Sequence, residues 1–519
     1  MGIELEKSPF IFGIDLGTTN SSIAVFAKGE SRVIPLDARK SMPSVIRIKD
    51  GGEIIVGQSA KSGITMFPDE TVTSIKRQLG TGWTKQFSAL PDQTFTAVDI
   101  SGEVLSAICA KAQSQEDFDI QGTPQRVVIC IPANFTDVQK KETREAGERA
   151  NLQVVDLIEE PVAAAIAYAV DKEVKQTILV YDLGGGTFDV TVMRVESERA
   201  ADGTTGHLRV LSKVGIPKLG GDDFDAKLMT LAVRELNEKL GFDLLDENAE
   251  CDMTPKSLRE ARGKLRAACE QVKIDLTTAP TSDISISNLI VDGQGVVHSL
   301  EIDITREQFE EAIAPLVQET KAAVDQATKD AGLTLEDVNR IIMVGGSTKV
   351  PCVSKMLEAM YGKKPFMDAD VDTIVARGAA IYGSWKTAAT EGSPTQGMAL
   401  HNIASHHLGI EVMGGKVSWI IEKNSDIPAD VPLKITRTYT TQEDGQESIR
   451  ITVYQGSEAT TYTSDEGTVC IGEFYLGGIP PKPPGAERIE VTFELSQHNI
   501  LTVSGASSTA AQALEIKRS

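Results

Sequence analysis

Two short segments carry residue types suited to phosphate chemistry. Asp15-Leu-Gly-Thr-Thr-Asn-Ser-Ser-Ile-Ala-Val and Asp182-Leu-Gly-Gly-Gly-Thr-Phe-Asp-Val-Thr-Val repeat one pattern. Each follows an apolar run and leads directly into another, which predicts a hairpin between strands rather than a loop opening a helix. Glycine lets backbone approach phosphate closely, and the exposed amides there can donate to its oxygens. An Asp at each mouth supplies hard oxygen for a divalent metal, mostly through water. One such turn reads equally well as an ordinary Asp-capped turn. Two copies point to a nucleoside triphosphate, ATP with Mg2+, held between them. No GxxxxGK[ST] occurs, so a P-loop is excluded. A third element, Ile341-Ile-Met-Val-Gly-Gly-Ser347, predicts a strand, a glycine turn and a helix from Val350, against which a base or ribose could lie. Gly-Gly turns are common, and Leu219-Gly-Gly-Asp222 also reads as a loop.

Alternating strand and helix patterns must position these turns. Strands are expected at Phe10–Ile14, Ser22–Phe26, Arg126–Ile131, Thr177–Tyr181, Val190–Val195 and Arg340–Val344. Thr136/Gln139, Thr305/Gln308 and Thr334/Asp337 have the spacing of capping boxes, in which paired side chains satisfy orphan amides at a helix start. Thr254-Pro255 opens a helix whose Leu258, Ala261, Leu265, Ala268 and Val272 share one face. This mixture over residues 1–384 predicts an α/β architecture of two lobes. Residues 385–407 are polar and rich in small residues, as in a linker. Residues 408–519 then show seven short alternating runs, from Val417–Ile421 to Leu514–Lys517, which predict an antiparallel sandwich.

The 519-residue length calls for two or three domains, and the net charge of −22 argues against nucleic acid and anionic membranes as partners. The six scattered cysteines show no CxxC and read as free thiols in a reducing compartment. Neither a secretory signal nor a myristoylation motif nor a membrane-length apolar run is found, so a cytoplasmic location is expected.

The quoted motifs, with Gly220-Gly-Asp-Asp-Phe-Asp225 and Gly345-Gly-Ser-Thr-Lys349, resemble the seventy-kilodalton heat-shock chaperone family of the actin-like ATPase superfamily. The likeness runs from about Phe12 to Lys517. It implies an actin-like ATPase region, a linker and a sandwich that grips extended apolar peptide of unfolded proteins, without the family's helical lid. Asp15 and Asp182 would then hold metal through water. Gly17, Thr18, Thr19 and Asn20 would meet one phosphate, and Gly184, Gly185, Gly186 and Thr187 the others, with Gly220 and Gly221 beside them. Lys76 would steady the γ-phosphate and attacking water, with Glu160, Asp182, Thr187 and Asp189 completing the catalytic set. Glu270, Lys273, Thr277, Gly345, Gly346, Ser347 and Asp372 would contact base and ribose. In the sandwich, Ile410, Met413, Tyr439, Ile449, Ile451 and Ile489 match the peptide groove, although Ile451 and Ile489 taken alone read as core. A J-domain co-chaperone and a nucleotide exchange factor are implied partners.

Departures from the family pattern fall on coupling positions rather than phosphate contacts. They are Asn134, Lys140, Asp156, Glu159, Val162, the Met398-Ala-Leu-His-Asn402 segment, and His498-Asn499; Ile274 replaces an adenine-stacking arginine of many members. The expectation is intact nucleotide binding with weakened or rewired interdomain coupling. Two rival readings are a nucleotide-binding co-chaperone or exchange factor with little turnover, and a small-molecule kinase of the same superfamily, for which the sandwich would have no role.

Overall fold

The computed structural model describes residues 7–115, 120, 122–170, 172–200, 203–367, 370–390, 398–429, 431–456, 459–508 and 511–515. The first glycine turn links Ile11–Asp15 to Asn20–Ala27, and the second links Val174–Leu183 to Phe188–Ala200; both pairs are antiparallel. Each hairpin sits within a larger sheet. The first joins Gln153–Glu159, Arg126–Ile131 and Glu30–Ile34, and the second joins Phe366–Met367, Arg340–Val344 and Gly203–Ile216. The central strands are mainly apolar and buried, as in a sheet covered on both faces; in Val174–Leu183 every residue from Thr177 onward is buried. In Ile11–Asp15 the first four residues are all buried. The chain is thus a two-lobed α/β unit followed by an all-β sandwich.

Two helices cross between the lobes. Glu160–Ala169 and Ile374–Thr390 approach where a Cβ on Gly378 would lie 1.8 Å from the Ala163 carbonyl oxygen. On the other side of Ile374–Thr390, a Cβ on Gly13 would fall 2.2 Å from the Ala380 nitrogen. The contact surfaces are therefore built from alanine and glycine, which lets helix backbone lie directly against strand and helix.

The capping boxes at Thr136/Gln139 and Thr305/Gln308 form and start helices Asp137–Arg149 and Arg306–Asp330; Thr254 caps Pro255–Asp275. Thr334/Asp337 also forms its box, but only a 3-10 turn, Leu335–Asp337, follows. The expected linker is docked where it is described. Residues 391–397 lie outside the described residues, yet Met398–Ile403 is a strand paired parallel to Gly203–Ile216, and its Asn402 and Ile403 pair with Asp426–Ile427 of the sandwich. Leu400 and Ile403 are buried against the second lobe, so their apolar side chains favour docking over solvation.

The sandwich stacks Lys416–Ile421, His407–Val412, Ser448–Gly456 and Thr468–Gly477 on Leu433–Thr440, Arg488–Leu495, Leu501–Ala506 and Ala511–Glu515. Of the strand expected at Leu514–Lys517, residues 514 and 515 lie in the strand Ala511–Glu515, and residues 516 and 517 lie outside the described residues.

Candidate active site

The two glycine turns meet face to face. A Cβ on Gly185 would lie 1.8 Å from Thr19 Oγ1, and one on Gly186 would lie 2.6 Å from Thr18 Cγ2. Only glycine allows the turns this proximity. The second turn is bound to two further elements: the Gly221 and Asp222 amides donate to the Gly184 and Gly185 carbonyls at 3.0 and 2.8 Å, and Ser347 Oγ donates to the Gly184 carbonyl at 2.8 Å. Gly345 has φ +86, and a Cβ there would collide with the Leu183 carbonyl. The weak Gly-Gly signals at 220 and 345 are thus close-approach positions against one turn.

Between these turns lies a cavity of about 330 Å³, of the size that holds a nucleotide-sized ligand. Of the expected residues, Asp15, Gly17, Thr18, Thr19, Asn20, Lys76, Glu160, Asp182, Gly184, Gly185, Thr187, Gly221, Glu270, Lys273, Thr277, Gly345, Gly346, Ser347 and Asp372 line it. Gly186, Asp189 and Gly220 stand behind the lining: the Gly186 carbonyl accepts from Arg77 Nε, Asp189 accepts from Asn134 Nδ2 at 2.7 Å, and Gly220 packs against Gly185.

Lys76 comes from the short 3-10 turn Ile75–Gln78, entered through Ser74 in the left-handed region. It is buried, and its Nζ is 2.5 Å from Glu160 Oε1 at the first turn of helix Glu160–Ala169. Burial opposes the lysine's charge, but Glu160 and Asp15 outweigh it and raise its pKa above the ordinary value. Burial, reinforced by Glu160, pushes the Asp15 carboxyl up to about 7 against the pull of Lys76. Burial also pushes Asp189 up to about 7, against its bond from Asn134, and holds Asp182 well above the carboxylate range with help from Glu160 and Asp189. The cluster therefore carries more potential anions than its one lysine neutralises, an arrangement that a cation shared with phosphate relieves.

The residues fit a metal–nucleotide on two structural counts. Thr19 Oγ1 is buried without a hydrogen-bond partner and faces the second turn. Asp15 and Asp182 line the cavity and offer hard oxygens of the kind a divalent cation takes. At the outer end, Lys273 Nζ binds the Gly221 carbonyl at 3.0 Å and Asp225 at 2.8 Å, while Lys349 pairs with Asp372. Ile274 is half-exposed on the cavity wall.

Sequence reasoning missed the contacts that hold the lobes together over the cleft. Arg77 pairs with Asp223, Lys61 with Glu270, and Ser74 Oγ donates to Asp222. Each joins residues far apart in the chain, and no local motif marks them; Arg77 stood beside Lys76 with no signal of its own.

Three of the expected groove residues lie inward. Ile410, Ile451 and Ile489 are buried in the sandwich core with Phe474, Leu476 and Phe493. Ile410 and Ile451 lie on paired strands of one sheet and Ile489 on the other sheet, so all three point into the layer between them. Tyr439 and Ile449 are half-buried against that core, and Met413 is exposed on the turn after His407–Val412.

A family model described as Hsp70 protein matches residues 11–519. Similar curated proteins include the Chaperone protein DnaK of Thermotoga neapolitana, 38% identical over 96% of this chain and 78% of its own length. The Chaperone protein DnaK of Thermotoga maritima shows the same identity and coverage, and that of Thermosipho africanus is 37% identical, also over 96% of this chain and 78% of its own length. The chain belongs to the Hsp70 family. It is an ATP-dependent molecular chaperone and an ATPase; the co-chaperone reading with little turnover is not favoured.

Proposed function

We propose that hydrolysis is carried by Lys76 and Glu160 beneath the two clamps, with Asp182, Thr187 and Asp189 completing the set and Mg2+ held through water by Asp15 and Asp182. The observation that carries this reading is the buried 2.5 Å Lys76–Glu160 contact at the floor of the cleft, facing the turns that fit phosphate. Lys76 would neutralise charge on the terminal phosphate, Glu160 and Asp189 would orient the attacking water, and Thr187 would donate to an oxygen of the transferred group. Little covalent work falls to the protein, since phosphoryl transfer is driven by positioning and charge. Bound magnesium supplies charge neutralisation between phosphates.

Residues 1–384 act as the nucleotide-binding domain and 408–519 as the polypeptide-binding sandwich, with 385–407 joining them. Met413, Tyr439 and Ile449 offer accessible apolar surface to an extended chain. Reaching Ile410, Ile451 or Ile489 requires the two sheets to part, so peptide affinity depends on how tightly the sandwich is held. A J-domain co-chaperone and an exchange factor are the proposed partners, and the cytoplasm the proposed location; among the described residues no helix is long and apolar enough to cross a membrane.

Single-turnover ATP hydrolysis by the wild type and Thr187→Ala tests the assignment. Loss of roughly a hundredfold in the variant is expected, and equal rates would remove Thr187 from the machinery.

A further inference from the structure

Outside the nucleotide cleft, a dense group of buried polar side chains lies where the first helix after the cleft, the docked strand Met398–Ile403 and the sandwich meet. Glu159 and Lys213 form its centre, 2% and 1% exposed. Lys213 Nζ lies 2.8 Å from Glu159 Oε1 and 2.6 Å from Oε2. Both charges come from the nucleotide-binding lobes. The docked strand and the sandwich contribute neutral groups that close over them: Asn402 Nδ2 donates to Glu159 Oε1 at 3.3 Å and to the Gln497 carbonyl at 2.8 Å, and Asn499 Nδ2 donates to the same Oε1 at 3.2 Å. The orientation of both amides is fixed by their other ends. Asn402 Oδ1 accepts from the Ile403 amide, and Asn499 Oδ1 accepts from the Ser405 amide. Lys140 Nζ then donates to the Asn499 carbonyl, and Ser405 Oγ to the Ala133 carbonyl.

An ion pair removed from water costs more than its attraction returns unless the remaining lone pairs are filled. Here amides carried by the two segments that must dock fill Glu159 Oε1, while Oε2 meets Lys213. Glu159 is also the residue before Glu160 and holds the N-cap position of the helix that Glu160 opens, with its side chain turned to Lys213 instead of capping that helix. Beyond Lys213, its strand places Gly215 opposite Asp189.

We propose that the Glu159–Lys213 pair is a charged joint that neutral amides at 402 and 499 close, and that Glu159 acts as a positioning residue, transmitting docking of strand and sandwich to Glu160. The first half stands on geometry alone; the second rests on the catalytic reading of Glu160 given above.

The test is a cycle at positions 159 and 402 in the full chain. Asn402→Asp is nearly isosteric and places a second carboxylate against Glu159 in a buried site. Hydrogen exchange over Met398–Ile403 should accelerate by about tenfold or more, while helix Pro255–Asp275 serves as an internal control. Glu159→Gln alone leaves Lys213 buried without its anion and should accelerate exchange similarly. The two substitutions together return the site to one anion and one cation and should restore slow exchange. The kcat for ATP should fall several-fold in each single variant with KM unchanged, and recover in the pair. Wild-type exchange in Asn402→Asp, or no recovery in the pair, would overturn the joint; if the control helix also opens in a single variant, recovery in the pair decides. Exchange that follows the cycle while kcat does not would keep the joint and refute its link to Glu160. A wild type without turnover would refute the catalytic reading and leave the exchange result standing.

Discussion

Gly185 shows how one residue decides the clamp. Its missing side chain is the space that Thr19 fills, so Gly185→Ala must separate the two turns. Weakening of ATP binding by about tenfold or more is expected from isothermal titration. Charge at the same place gives a pH prediction. Asp15 and Asp189 titrate near 7 in the ligand-free protein, well above the ordinary aspartate value. A raised carboxyl pKa contributes stability that is full at low pH and fades as pH rises through about 7, because the folded state binds more protons in that window. Magnesium and nucleotide favour the ionised forms, so their binding should strengthen from pH 6 to 8 and release protons. Calorimetry in buffers of different ionisation heat reads that release; none at pH 6.5 would contradict the shifts.

Elements carry these residues because backbones meet closely. The crossing of Glu160–Ala169 and Ile374–Thr390 depends on Gly378 lying on Ala163. Gly378→Val would force the helices apart and should destabilise the protein by about 3 kcal/mol, read as a lower denaturant midpoint at unchanged slope. Both hairpins, their strands and three helix caps were legible in the chain, since glycine turns, apolar runs and capping boxes are local signals. The Asp223, Asp222 and Glu270 partners across the cleft were not, and neither was Lys213, because a residue that pairs with a distant strand has no local pattern. The segment around Asn402 looked like a linker for the same reason: its alternation is too short to read as a strand without the Gly203–Ile216 edge that receives it. Ile410, Ile451 and Ile489 belong to the sandwich core, and pocket and core draw on the same inward isoleucines, so no local pattern separates the two roles.

On the scale of the whole molecule, several of the departures, Lys140, Asp156, Glu159, Asn402, His498 and Asn499, come together. Asp156 accepts from Tyr382 Oη at 2.9 Å and lies 3.2 Å from both His498 Nε2 and Lys386 Nζ. Burial works against its charge, but His498, Lys386 and Tyr382 hold the carboxyl well below its usual range. Such a group stabilises the docked form above the ordinary aspartate pKa, and that contribution is lost as pH falls below it toward strong acid. Asp156→Asn should therefore loosen the sandwich at neutral pH, read as a larger radius of gyration in small-angle scattering; an unchanged radius would show that this contact is incidental. With Glu159, Lys140, Asn402 and Asn499, these residues form a mutually paired interface rather than scattered losses. These residues pair with one another across the contact between lobes, docked strand and sandwich.

The buried lysine of the cleft gives the most direct test of the ATPase centre. Lys76→Ala should bind Mg·ATP with affinity close to that of the wild type, because the turns hold the phosphates. It should hydrolyse bound ATP roughly a hundredfold more slowly in a single turnover. Hydrolysis at the wild-type rate by a variant that binds ATP would contradict the assignment of the Lys76–Glu160 pair as the centre of the ATPase.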